Sequence, residues 1–226
     1  MKKKVFYTEL SYILGVVLLA FNTAVMEKAD FGVSMVVAPA YLLYLKLSEF
    51  LPFFTFGMAE YLLQATLLVI MCLTIRRFKV SYLFSFVTTV LYGIVLDASM
   101  IILQHVVCDT LISSLLIYIL GILGTTMGVS LLFHTYISPA VYELFVKEVS
   151  SHFNKKLSTF KTAYDCVSCA IAILMSFVFF GLWKFEGVKF GTIVCALVNG
   201  LIISMFSKIF EHFFTFEDKL KLRKFF

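Results

Sequence analysis

Charged side chains are scarce in this chain, at 15% of 226 residues, while hydrophobic ones reach 61% and the mean hydropathy is +0.98. A soluble domain of this length would have to cover its surface with polar groups, so the composition excludes one. Chemistry-bearing motifs are missing as well. There is no Gly-rich nucleotide loop, and His105, His134, His152 and His212 are scattered without a His-Glu-x-x-His or similar grouping. The cysteines Cys72, Cys108, Cys166, Cys169 and Cys195 are odd in number, lie within or beside apolar runs and read as free, packing thiols. Cys166-Val-Ser-Cys169 has redox or metal spacing but lacks a second pair or a His partner. No catalytic residue, cofactor or metal site is therefore expected, and the chain is not expected to be an enzyme. The net charge of +5 is small and its basic residues cluster in linkers and the tail, which makes it a topology signal rather than a nucleic-acid footprint.

What is present is a series of apolar runs of about 20 residues, each enough for roughly 30 Å of hydrocarbon, without the alternating ten-residue segments of a membrane barrel. Six are expected to span: about Leu10 to Met26, Met58 to Ile75, Ser81 to His105, Leu111 to Phe133, Ala163 to Trp183 and Gly191 to Phe210. Lys2-Lys3-Lys4 ahead of the first run also has the form of a signal peptide, with Ala20 to Ala24 as small residues near a cleavage site; an uncleaved first span explains the same pattern.

Two stretches are too short and too polar to cross. Residues 33–50 contain Pro39, Lys46, Ser48 and Glu49. Residues 137–153 place Val141, Leu144, Phe145 and Val149 at helical spacing, with Glu143, Lys147, Glu148 and His152 between them, behind a Ser138-Pro139 helix start. If neither crosses, only Lys28, Lys46, Lys184 and Lys189 of the 19 Lys and Arg lie outside. If both cross, the Arg76-Arg77-Lys79 cluster is forced outside, against the positive-inside bias. The expected fold is thus an all-α membrane protein of six transmembrane helices plus two short re-entrant or interfacial helices, in a bacterial cytoplasmic membrane with both termini cytoplasmic. The basic tail, 213–226, is expected on the anionic leaflet.

The halves resemble one another. Leu14-Gly15 aligns with Leu120-Gly121, Val33-Ser34 with Ile137-Ser138, Thr55-Phe56 with Thr159-Phe160, Ala59 with Ala163 and Gly93 with Gly200. Each half, 1–107 and 108–212, is then a span, a short helix and two spans. Three crossings being odd, the second copy lies upside down relative to the first.

On Leu14-Gly15, Gly32-Val-Ser34, Ile-Ser-Pro139, Asp97 after Gly93, Lys161 to Asp165, and Gly191-Thr192 with Gly200, the chain resembles the YitT/YczE-type bacterial multi-pass membrane proteins over nearly its whole length. Where that pattern tends to place Pro and then Asp after the Ser, this chain has Met35 and Val37, and Pro139 but Val141. The resemblance implies a transporter-like membrane protein and no particular substrate.

Inverted repeats are the usual build of secondary transporters, and a helix that stops within the membrane presents its N-terminal N–H groups to a polar ligand. The first expectation is a transporter or facilitator of a small solute, with a midplane site near Asn22, Ser34, Asp97, Ser138, Asp165 and Asn199. Asp97 reads equally as a coupling-ion ligand or as an interfacial residue paired with a hydroxyl or lysine. Glu60 and Gln64, one turn apart, suit a polar pocket or solvated packing. Gly121, Gly124 and Gly128, like Ala20 and Ala24, form a small-residue face for close helix packing. The alternatives are a substrate-binding subunit of an energy-coupling-factor-type vitamin uptake system and a non-transporting scaffold or regulator. Candidate partners are the lipid bilayer, a small-molecule solute, and a second copy or coupling subunits.

Overall fold

The structure, a computed structural model, describes residues 4–106, 110–155, 157–182 and 187–220. The chain runs β1 (Lys4–Tyr7), α1 (Thr8–Ala29), α2 (Ala38–Ser48), α3 (Phe56–Ile75), α4 (Ser81–Ile102), α5 (Leu111–Phe133), α6 (Val141–His152), α7 (Leu157–Phe180), α8 (Phe190–Phe213) and β2 (Phe214–Glu217). Six helices are long and apolar enough to cross a membrane, namely α1, α3, α4, α5, α7 and α8. At 1.5 Å per residue the 11 residues of α2 and 12 of α6 reach less than ~20 Å, short of the ~30 Å hydrocarbon layer. The molecule is an all-α membrane protein with, among the described residues, six long helices, two short ones and one two-stranded ribbon that the sequence did not announce.

Local chemistry sets the helix ends. Asp30 turns left-handed (φ 57°) and its N–H returns to Glu27 O at 3.1 Å, closing α1; Arg76 (φ 54°) ends α3 likewise. Thr55 Oγ1 accepts from Met58 N at 3.2 Å to open α3, and Thr110 with Ser113 forms a reciprocal cap on α5. Two spans run past their expected bounds. Thr8 begins α1, and Leu157 begins α7, because Lys161 and Asp165 pair one turn apart at 3.6 Å and do not interrupt the helix. The short helices are narrower than 33–50 and 137–153. Before α2 the Ser34 carbonyl accepts from Val37 N and Ala38 N, forming a turn, and Ala140 stands extended before α6.

Packing centres on α1 and α5, which are pressed together along Gly121, Gly124 and Gly128 of α5, facing Met26, Asn22 and Leu19. α2 sits at the end where α1 stops and α3 starts: Tyr41 OH donates to Glu27 at 3.3 Å, and Tyr41 and Tyr44 pack on Phe56. α6 sits at the other end, where Lys79 and Tyr82 donate to Glu148 at 3.1 and 2.7 Å and Leu144 and Val149 join Met71 and Ile75. Burial raises the Glu148 carboxyl, but the Tyr82 and Lys79 donors outweigh it and leave it below its ordinary value. At that same end β1 and β2 pair in parallel, bringing the two termini together as an even number of crossings requires. The first residues of the expected basic tail therefore form a strand. Lys2, Lys3, Cys108, Lys156, Trp183, Lys184 and residues 221–226 lie outside the described residues.

Candidate functional site

A cavity of about 60 Å³ lies in the middle of the bundle, and every one of the eight helices or the turn leading into it contributes to its wall. α1 gives Leu19 and Thr23, α3 Gln64, α4 Tyr92, α5 Thr125 and Val129, and α8 Asn199 and Ile203. Ser34, Val36 and Val37 come from the turn before α2, Ala140, Tyr142 and Glu143 from the start of α6, and Lys161 from the first turns of α7. The starts of both short helices thus line one space, although the bodies of those helices sit at opposite ends of the bundle. Gln64 lies eight residues, ~12 Å of rise, inside α3, which places the space well within the membrane.

Most of the wall surface is apolar, but nine of its fifteen residues carry polar side chains in a protein that has few of them. Glu143 Oε2 and Asn199 Oδ1 are buried and have no hydrogen-bond partner among the described residues, so two strong acceptors stand open. Lys161, paired with Asp165 at 3.6 Å, supplies the positive charge. Tyr92 OH donates to Thr23 Oγ1 at 3.2 Å, tying α4 to α1 across one side.

Beside the cavity lies a buried network. Gln64 Oε1 accepts from Val141 N, the first residue of α6, at 3.1 Å and from Thr89 Oγ1 at 2.6 Å. Gln64 Nε2 and Tyr142 OH both donate to Glu60 Oε2 at 2.9 Å. Three helices are thereby joined around the start of α6. An apolar cleft of about 370 Å³ between α3 and α7 adjoins the cavity at Val36.

Of the residues proposed from sequence, Ser34 and Asn199 line the cavity and four do not. Asp97 caps α3 from α4, Oδ2 accepting from Thr55 Oγ1 at 2.7 Å and Oδ1 from Gly57 N at 2.8 Å. Asn22 donates to Leu18 O of its own helix at 2.8 Å and packs over Gly124. Ser138 offers its carbonyl to Thr88 Oγ1 at 2.9 Å, and Asp165 stands behind Lys161. Sequence reasoning had weighed Glu60 and Gln64 for their shared face but had not placed them at the site. It missed Lys161, quoted only for the family resemblance, Glu143, read only as part of the polar face of residues 137–153, and the hydroxyls, which carry no signal in an apolar run. Among the described residues no three His, Cys, Asp or Glu side chains group as a metal site would require.

Six long apolar helices around a polar central cavity define a polytopic α-helical membrane protein. The chain belongs to a family of unknown function, DUF6198, whose model matches residues 6–208. Neither the curated proteins nor the solved structures contain a significant match.

Proposed function

We propose that the chain is a transporter or facilitator of a small polar solute and that the central cavity is its binding site, lying between two inverted halves. The observation that carries this is the meeting of both short-helix starts in one polar space at mid-membrane. Helix starts of this kind favour an anionic group, and Lys161 adds to that field. The open acceptors on Glu143 and Asn199 ask for a donor such as an ammonium. Together they suit a small zwitterion.

Part of the helix pairing supports the inverted arrangement. α1 with α4 is matched by α5 with α8, α3 with α6 by α2 with α7, and α2 with α3 by α6 with α7, while α1 with α5 maps onto itself; among the described residues the α3–α4 and α4–α6 pairs have no counterpart in α7–α8 and α2–α8, so the second half is the more open one. The two short helices then enter from opposite faces, as re-entrant helices do, and a rocking exchange between halves would open the cavity to each side in turn. The face holding the termini, Arg76 to Lys79 and the α6–α7 region is the cytoplasmic one, because it carries most of the basic residues.

Ala20 and Ala24 are fully buried in the core with Phe56 and Tyr92, so that small-residue face is not free for a coupling subunit of the energy-coupling-factor kind. The test is purified protein in liposomes against a panel of small zwitterions and ions. Uptake or binding that falls at least ~10-fold in Lys161→Ala and Asn199→Ala, about the loss of one charged contact, is the expected result. A panel in which nothing is moved and nothing is bound would remove the proposal.

A further inference from the structure

Glu60 is completely buried, four residues into α3, and is the acid that the cavity wall does not use. Its Oε2 takes both donors, Gln64 Nε2 and Tyr142 OH, and its Oε1 is buried with none among the described residues. The orientation of the Gln64 amide is fixed independently: Val141 N–H can only donate, so the Gln64 atom facing it is the oxygen and the NH2 faces Glu60. The titratable groups facing Glu60 are Tyr92 from α4, Tyr142 and Glu143 from α6 and Tyr164 from α7. Those are three phenols and a second acid, with no cation among the described residues; the nearest positive charge on the cavity wall, Lys161, acts on Glu143. A carboxylate in such a place would forfeit its hydration, cost several kcal/mol, and gain no counter-charge in return.

We propose that Glu60 is a proton-binding site whose occupied form is the one seen here, and that loss of the proton draws water or a cation in beside the start of α6. The proton sits on Oε1, the oxygen no donor needs. When water reaches it, the O–H bond breaks, the proton passes to that water and the electron pair stays as carboxylate. The charged carboxylate keeps Tyr142 and Gln64 as donors and accepts from them more strongly, but its bare Oε1 demands water or a cation, which must enter beside the first turn of α6. Since that turn forms part of the cavity wall, proton occupancy and cavity access are linked. The consequence for solute movement rests on the transport proposal, whereas the proton site itself does not.

The infrared spectrum of the protein in lipid nanodiscs at neutral pH separates the two. Wild-type protein should show the carbonyl stretch of a buried protonated acid, and Glu60→Gln, which keeps the shape and the acceptor, should lose it, with Glu143→Gln as the control for the neighbouring acid. The linked readout is thiol labelling of Ala140→Cys in a background without the native cysteines. Labelling, expressed relative to an exposed reference cysteine at the same pH because thiolate reactivity itself rises with pH, should rise as pH is raised in the wild-type background and stay low and flat with Glu60→Gln. A carbonyl band unchanged by Glu60→Gln, or labelling whose pH dependence survives that substitution, overturns the proton site. A band that vanishes as expected in a protein that moves no solute would refute transport alone.

Discussion

Asp97 is an acid of α4 that closes the N-terminus of α3, accepting from Thr55 and from the Gly57 N–H where the helix end is most positive. Its removal should be felt in stability and not at the cavity. Asp97→Ala is expected to cost ~1–3 kcal/mol, the range for charge-assisted bonds to a helix end, seen as a lower midpoint of thermal unfolding in detergent with solute binding intact. An unchanged midpoint would show that the cap contributes nothing. The same residue shows where sequence stops being informative. An acid inside an apolar run is visible, but whether it faces a cavity or a helix end depends on the angle of α4 against α3, which periodicity does not supply. Asn199 was legible as a polar group in mid-span and Ser34 as the start of a short helix. Thr23 and Thr125 were not, because each can return a hydrogen bond to its own helix, to Leu19 O at 2.8 Å and Ile122 O at 3.0 Å, and so pass as ordinary span residues.

The α1–α5 pair shows how elements are chosen. A Cβ on Gly128 would stand 2.8 Å from Leu19 N and 2.9 Å from Gly15 O, backbone atoms that cannot step aside. Gly128→Val should therefore push α1 and α5 apart at a cost of ~1–3 kcal/mol, in the range of overpacked cores. Gly200 has nothing within 4 Å of where its Cβ would be, so Gly200→Ala should be neutral or stabilise by up to ~1 kcal/mol through helix propensity. Thermal unfolding of the two variants side by side checks both; equal losses would mean that close packing is not the reason for glycine at Gly128. The small-residue spacing marked the α5 face for close packing without naming its partner, whereas apolar length announced the six spans. The β1–β2 ribbon was not readable, since four residues at each end of a chain pair only when the bundle has already brought the termini together.

At the scale of the whole molecule, the contacts sort the connections onto two ends of the bundle. Asp30 pairs with Lys189 at one end, while Lys79 pairs with Glu148 and Tyr136 OH donates to Glu9 at 3.0 Å at the other. The proposed orientation makes the second end cytoplasmic, which labelling of single cysteines in intact cells tests. In a background lacking the native thiols, Phe78→Cys and Asn154→Cys, both at exposed turns, should be protected from a membrane-impermeant reagent, while Gln104→Cys, exposed beyond α4, should react. Permeabilising the cells should expose the first two and leave the third unchanged. If all three react in proportion to their exposure alone, the reagent is crossing the membrane and must be replaced by a larger one. Reaction of Phe78→Cys from outside with Asn154→Cys still protected is the damaging result. It would separate two positions that the Lys79–Glu148 pair holds at one end, and the inverted relation of the halves would fall with it, because that relation depends on α3 ending and α6 lying on the same face.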